Sequence, residues 1–113
     1  MMSAFNPSVS AIKAAVKTYE VSAHNTANVN TDGFKKDSAR ISQGEYGVVV
    51  SIEKGRKIEE EHKGPDSRDI KPSDVNLAEE SVEQISAKHM ISYNAAVIKT
   101  ADEMTGSLLD VFA

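Results

Sequence analysis

The 113-residue chain has no cysteine and no tryptophan, and only 5% of its residues are aromatic. Without cysteine there is no disulfide framework and no thiolate zinc site, and the compartment is left open. With so few rings, a compact globule of this size would lack its usual filling. The scarcity favours an elongated, helix-dominated chain whose apolar surface is aliphatic. No run of about 18 apolar residues is present, so no membrane-spanning helix is expected. The first ten residues have neither a basic stretch nor an apolar stretch of signal-peptide type, so a cleavable secretory signal is not expected. No basic stripe appears either, which disfavours nucleic-acid binding.

The chain does carry 40% hydrophobic and 27% charged residues, enough for one modest domain. Its net charge of −4 is unevenly spread. Residues 1–40 hold five Lys/Arg and three Asp/Glu, residues 41–75 six and eight, and residues 76–113 two and six. The two ends are therefore weakly complementary in sign.

Asn6 is a good N-cap, and Pro7 after it suits the first helical position, where a missing N–H costs nothing. Val9, Ile12, Val16, Tyr19, Ala23 and Thr26 then recur at spacings of 3, 4, 3, 4 and 3. The pattern fits a heptad seam, and it equally fits an ordinary core-facing helix, because it spans under three heptads. Asn28 and Asn30, followed by Asp32-Gly33, should end that helix.

Residues 46–53, YGVVVSIE, are β-branched and read as a strand. Residues 57–62 either pair back on it as a second strand or form a solvated loop around the run Glu59-Glu60-Glu61. Gly64-Pro65 and Lys71-Pro72 are breakers. A lone hairpin is marginal in water, so this segment must lean on a helix, on another subunit, or stay mobile.

Residues 76–112 form the longest periodic element. Asn76 with Glu79 three residues on resembles a capping box. Glu79, Glu80 and Glu83 sit where the helix dipole favours negative charge. Two apolar seams run along it, one through Met90, Tyr93, Val97, Thr100, Met104 and Val111, the other through Ile91, Ala95, Ile98, Ala101, Leu108 and Phe112. Together they are wider than one partner helix covers, which leaves an apolar surface for a subunit interface. Gly106 either permits close helix approach or marks fraying.

Catalytic patterns are missing. His24, His62 and His89 share no metal-ligand spacing, and no phosphate loop, nucleophile elbow or HExxH motif occurs. Asp102 and Glu103 are adjacent, so they diverge by about 100° on a helix and make no carboxylate pair. No catalytic, metal-binding or cofactor-binding residue is expected.

The informative stretch is residues 23–35, AHNTANVNTDGFK. Asn and Thr side chains compete with helix by bonding local backbone, so Asn25, Asn28, Asn30 and Thr31 can close a helix and open a fixed turn. Gly33 can supply a positive φ, and Phe34 an anchor.

This stretch resembles the N-terminal signature of the bacterial flagellar rod and hook proteins, roughly A-N-N-x-A-N-x-x-T-x-G-F-K. Ala23, Asn25, Ala27, Asn28, Thr31, Gly33, Phe34 and Lys35 match it. His24 replaces the first Asn, and Asp32 stands where Pro is usual. The other end agrees: residues 75–80, VNLAEE, are similar to the family's entry to its C-terminal helix. Residues 94–104 with Leu108-Leu109 are similar to its A-N-x-x-V-I-x-T-A-D-E-M-x-x-x-L-L tail. Tyr93 replaces the Ala before Asn94, and His89, Met90 and Ile91 occupy an R-A-Y triplet. The resemblance covers about residues 8–36 and 73–112.

The resemblance implies a mainly α fold in which N- and C-terminal helices (residues 1–40 and 73–113) pair as an α-helical coiled coil. A short β-hairpin-like or irregular insertion, residues 41–72, lies between them. It implies a non-enzymatic structural subunit of the flagellar basal body, most like a short proximal rod protein, without cofactor or metal. The implied partners are other rod and axial subunits, copies of itself, and the flagellar type III export apparatus, with no nucleic acid and no membrane insertion. The implied location is the rod of the basal body. Assembly residues carried over are Asn25, Asn28, Thr31, Gly33, Phe34, Asn94, Val97, Ile98, Met104 and Leu108, with Val9, Ile12, Val16, Tyr19 and Ala23 as the N-terminal seam. A soluble adaptor or regulator of flagellar export or assembly that shares the family's ends is the alternative.

Overall fold

A computed structural model of the chain describes residues 2–55 and 72–112. Helix α1 spans Met2–Ala27, strands β1 and β2 span Ser38–Gly44 and Gly47–Glu53, and helix α2 spans Leu77–Phe112. The fold is mainly α, two helices flanking a short antiparallel hairpin, as the sequence leads one to expect. The expected pairing of residues 57–62 lies outside the described residues.

Helix α1 starts earlier than Asn6, and Pro7 lies inside it. Pro7 removes one backbone bond, to the carbonyl of Ser3, and its φ is already helical. Helices leave their first four N–H groups unbonded in any case, so the loss falls beside a turn that is open already. Helix α1 ends at Ala27, and Asn28 donates from Nδ2 to the His24 carbonyl at 2.9 Å, bonding one of the last-turn oxygens. Gly33 then turns the chain at φ 71°.

Strand β2 occupies the expected β-branched segment, but its partner precedes it. β1 pairs with it from Ser38↔Glu53 to Gly44↔Gly47, joined through Glu45 and Tyr46. The reason is local closure: a two-residue connection costs far less entropy than a long one. Neither turn residue takes a positive φ; Gly47 does, at 138°, with Ser10 packed where a Cβ would project. Val48, Val50 and Ile52 alternate with the exposed Val49, Ser51 and Glu53. The hairpin packs on α1, which supplies the support that a lone hairpin lacks.

Helix α2 is capped by Asn76, whose Oδ1 accepts from the Ala78 N–H at 3.0 Å. The capping box is not completed, because Glu79 reaches instead to Lys36, Oε2 to Nζ 2.8 Å. At 1.5 Å per residue the 36 residues of α2 make about 54 Å, against about 39 Å for the 26 of α1.

The C-terminal end of α1 meets the start of α2, so the two helices run antiparallel. Among the described elements α2 touches only α1, while α1 also carries the hairpin. The chain measures 80 × 26 × 14 Å, as elongated as its shortage of rings suggests.

The line of α1 that is buried is not the apolar seam. Ser8, Ala14, Ala15, Thr18, Ser22 and Asn25 are buried, whereas Val9, Val16 and Tyr19 stay 40–43% exposed. Ala23 is exposed, and Ile12 and Thr26 are half-buried. Small residues win the inner position because α1 is wedged between α2 and the hairpin, and close approach on two sides leaves no room for bulk. On α2 the covered line is Glu80, Gln84, Ala87, Ile91, Asn94, Ile98 and Ala101, spaced 4, 3, 4, 3, 4 and 3. Gly106 has nothing within reach of a Cβ, so no close approach within the chain requires it.

Candidate functional site

The Asn-rich stretch builds a junction where all the described elements meet. Asn25, 2% exposed, clasps the backbone of Asp37 from both sides. Its Nδ2 donates to the Asp37 carbonyl at 2.8 Å, and its Oδ1 accepts from the Asp37 N–H at 2.9 Å. The same Nδ2 lies 3.4 Å from Glu80 Oε1 on α2. One side chain thus ties α1 to the entry of β1 and to the second helix.

Around it lies a buried polar group. Ser22 Oγ donates to the Glu80 carbonyl at 3.0 Å. Gln84 Nε2 donates to Ser22 Oγ and Thr26 Oγ1, each at 3.2 Å. Every buried side-chain polar atom described has a partner, which is what makes such a group tolerable in a packed interface. These bonds fix which turn of α1 faces which turn of α2, as a polar position fixes register in paired helices.

The hairpin and the entry to α2 are pinned at the same place. Asp37 Oδ1 accepts from the Gly55 N–H at 2.9 Å, and its Oδ2 lies 3.4 Å from Lys54 Nζ. Gly55 packs against the Lys35 carbonyl so closely that a Cβ would overlap backbone. Asp74 Oδ1 accepts from the Lys36 N–H at 2.7 Å, and the Asp74 N–H donates to the Phe34 carbonyl at 3.3 Å. Ser73 donates to the Val29 carbonyl. His24 meets the Phe34 ring edge-on at 5.6 Å.

The Gly55 N–H, then Lys54, hold the Asp37 carboxyl below the ordinary 3.8. The bond to Glu79 raises Lys36 above the ordinary 10.5. A depressed carboxyl stabilises the fold above its unfolded pKa, and that contribution is lost as pH falls through the folded value. A raised lysine stabilises below its unfolded pKa and loses this as pH rises through its folded value. The denaturation midpoint is therefore expected to be flat across neutral pH, to fall below about pH 4, and to fall again above about pH 10.5. Asp37→Asn should make the acid limb shallower in a urea-midpoint series against pH; an unchanged acid limb would remove Asp37 from this account.

The positions singled out from the sequence fall into two groups. Asn25, Asn28, Thr31, Gly33 and Phe34 gather at the junction, with Thr31 Oγ1 3.2 Å from Asn28 Oδ1. Asn94 and Ile98 are half-buried on the covered line of α2, and Asn94 donates to the Met90 carbonyl at 2.8 Å. Val97, Met104 and Leu108 lie 46–52% exposed, away from the junction. Ser22, Asp37, Gly55, Glu80 and Gln84 were not legible as a group. Glu80 reads as one more helix-dipole carboxylate, and nothing marks Ser22 or Gln84. Of the histidines, His24 touches Phe34 and His89 stacks on Tyr93 at 5.9 Å, while His62 lies outside the described residues. Among the described residues no group of three His, Cys, Asp or Glu could hold a metal, and no helix is long and apolar enough to cross a membrane.

Both helices leave large apolar side chains open. α1 shows Val9, Val16 and Tyr19; α2 shows Val82, Ile85, Tyr93, Val97, Met104, Leu108, Leu109, Val111 and Phe112. The buried hydrophobic residues among those described are four alanines, Ala14, Ala15, Ala87 and Ala101. Residues 71–111 match the family model described as flagellar basal body rod FlgEFG protein C-terminal. The match spans the run into α2 and nearly all of that helix. No curated protein matches the chain.

Proposed function

We propose, from the match of residues 71–111 to the flagellar basal body rod family model, that this chain belongs to the rod and hook family and is a rod subunit that assembles through its two terminal helices into the axial structure. The family gives it a structural role in the flagellar basal body. One observation carries the finer reading: among the described residues the buried hydrophobic ones are four alanines, while many large apolar side chains stand exposed on the two helices. Such a molecule obtains its hydrophobic core from neighbours. Its work is mechanical, because the helices transmit load and frame the tube, and no catalytic step is assigned to it. The two helices act as one axial unit, with the hairpin as an insertion. The partners are other axial subunits and further copies of the chain, and the chain reaches them through the flagellar type III export apparatus.

Fractionation of purified basal bodies tests this. The full-length chain is expected in the rod fraction, and a chain lacking residues 105–113 is expected to be absent from it, leaving cells non-motile. Normal motility with the truncated chain, or a full-length chain confined to the cytoplasm, would overturn the rod assignment.

A further inference from the structure

Thr31 to Phe34 form a turn of type II pattern. The Phe34 N–H donates to the Thr31 carbonyl at 3.2 Å, Asp32 keeps a negative φ, and Gly33 takes φ 71°. The turn leads from the end of α1 into the junction. Thr31 bonds to Asn28, while Phe34 meets His24 and offers its carbonyl to the Asp74 N–H.

The two corner residues are unengaged. Asp32 and Gly33 are exposed. Among the described residues the Asp32 carboxylate has no hydrogen-bond or ion-pair partner, and the Gly33 N–H donates to no acceptor. Open space surrounds the point where a Gly33 side chain would begin, so nothing shields the nitrogen. The other described aspartates differ. Asp37 holds the Gly55 N–H, and Asp74 holds the Lys36 N–H. Asp102 and Asp110 lie inside α2, where the following N–H is committed to a carbonyl four residues back. None of these four precedes a glycine.

We propose that Asp32 is a site of spontaneous aspartate isomerisation in the free chain, and that the product unfastens the junction. The Gly33 nitrogen attacks Cγ of the Asp32 carboxylic acid. The N–Cγ bond forms, the C–OH bond breaks, and the hydroxyl leaves with the amide proton as water. Water then opens the resulting succinimide. Addition at Cγ restores aspartate. Addition at the main-chain carbonyl breaks that carbon's bond to nitrogen, and the backbone now runs through the side chain as isoaspartate, at unchanged mass. The isoaspartyl backbone is longer by one carbon, about 1.5 Å, inside a turn closed by one hydrogen bond. Phe34 is thereby displaced from His24 and from the Asp74 N–H. This chemistry is independent of the rod reading.

The test ages the purified full-length chain at physiological temperature in mildly acidic buffer and digests it with trypsin. Peptide 18–35 contains Asp32 as its one aspartate. It is expected to split with time into two species of equal mass, the new one resistant to a protease that cuts before aspartate. Its yield should exceed several-fold that of any isomer at Asp37, Asp74, Asp102 or Asp110. Asp32→Asn reaches the same ring by losing ammonia and should accumulate the same product faster, as located by fragmentation. Asp32→Pro suits the second position of the turn and should yield none, with circular dichroism unchanged. Hydrogen exchange of the Asp32→Asn chain before and after ageing reads the consequence. Protection of the Asp74 and Lys36 amides should be lost, while the middle of α1 keeps its own. Isomer at Asp32 no more abundant than at Asp37 would overturn the site. Isomer with unchanged protection at Asp74 would overturn its effect on the junction.

Discussion

Asn25→Ala is expected to lower unfolding stability by about 2–4 kcal/mol. The side chain is 2% exposed and joins three elements through the Asp37 carbonyl, the Asp37 N–H and Glu80. Truncation strands partners on both sides of a packed junction, and each stranded buried group costs about 1–3 kcal/mol. The lower end applies where water can reach the Asp37 backbone. Against a total of about 5–15 kcal/mol for a domain, this is a large fraction. Urea unfolding followed at 222 nm measures it, and hydrogen exchange locates it. Protection should be lost together in β1 and the first turns of α2. Asn28→Ala is the comparison: it removes one bond, to the His24 carbonyl, at an exposed site, and should cost under about 1 kcal/mol. Equal losses for the two asparagines would refute the clasp.

Ala15→Leu is the second large effect. Ala15 is fully buried on the inner side of α1. Three added carbon atoms cannot be housed without moving α1 from α2 or from the hairpin. Separation of the helices would stretch the Ser22–Glu80 and Gln84 bonds a turn or two away. Overpacking of this kind costs about 1–3 kcal/mol. Val16→Leu, one residue on, changes an exposed side chain and should stay within about 0.5 kcal/mol. The pair asks directly which face of α1 is inside. If Val16→Leu were the damaging change, the apolar seam would be the intramolecular one after all.

That contrast shows where sequence reasoning stops. The heptad spacing of Val9, Ile12, Val16, Tyr19 and Ala23 correctly marks a helix, and its largest members stay open. Shifting the same spacing back by one residue gives Ser8, Ala11, Ala15, Thr18, Ser22 and Asn25, a line with no hydropathy signal. Periodicity ranks faces by apolarity, whereas close approach of two backbones ranks them by size. Asn25 was legible as part of a junction from its neighbours in the chain. Its partners Asp37 and Glu80 were not, because they lie 12 and 55 positions away.

The sequence by itself determined the local elements: two long helices, the Asn76 cap, the Gly33 turn and the β-branched strand. Each depends on residues within a turn or two, where propensity and capping chemistry act directly. It also carried the match to the rod-protein family model, because residues 71–111 hold that pattern in one continuous stretch. Only the tertiary structure decided that β1 precedes β2, that Asn25 closes the junction, and that small residues face inward while the aliphatic ones face out. Those outcomes depend on three bodies competing for the surface of α1, and nothing in a one-dimensional pattern says which of them arrives at which face.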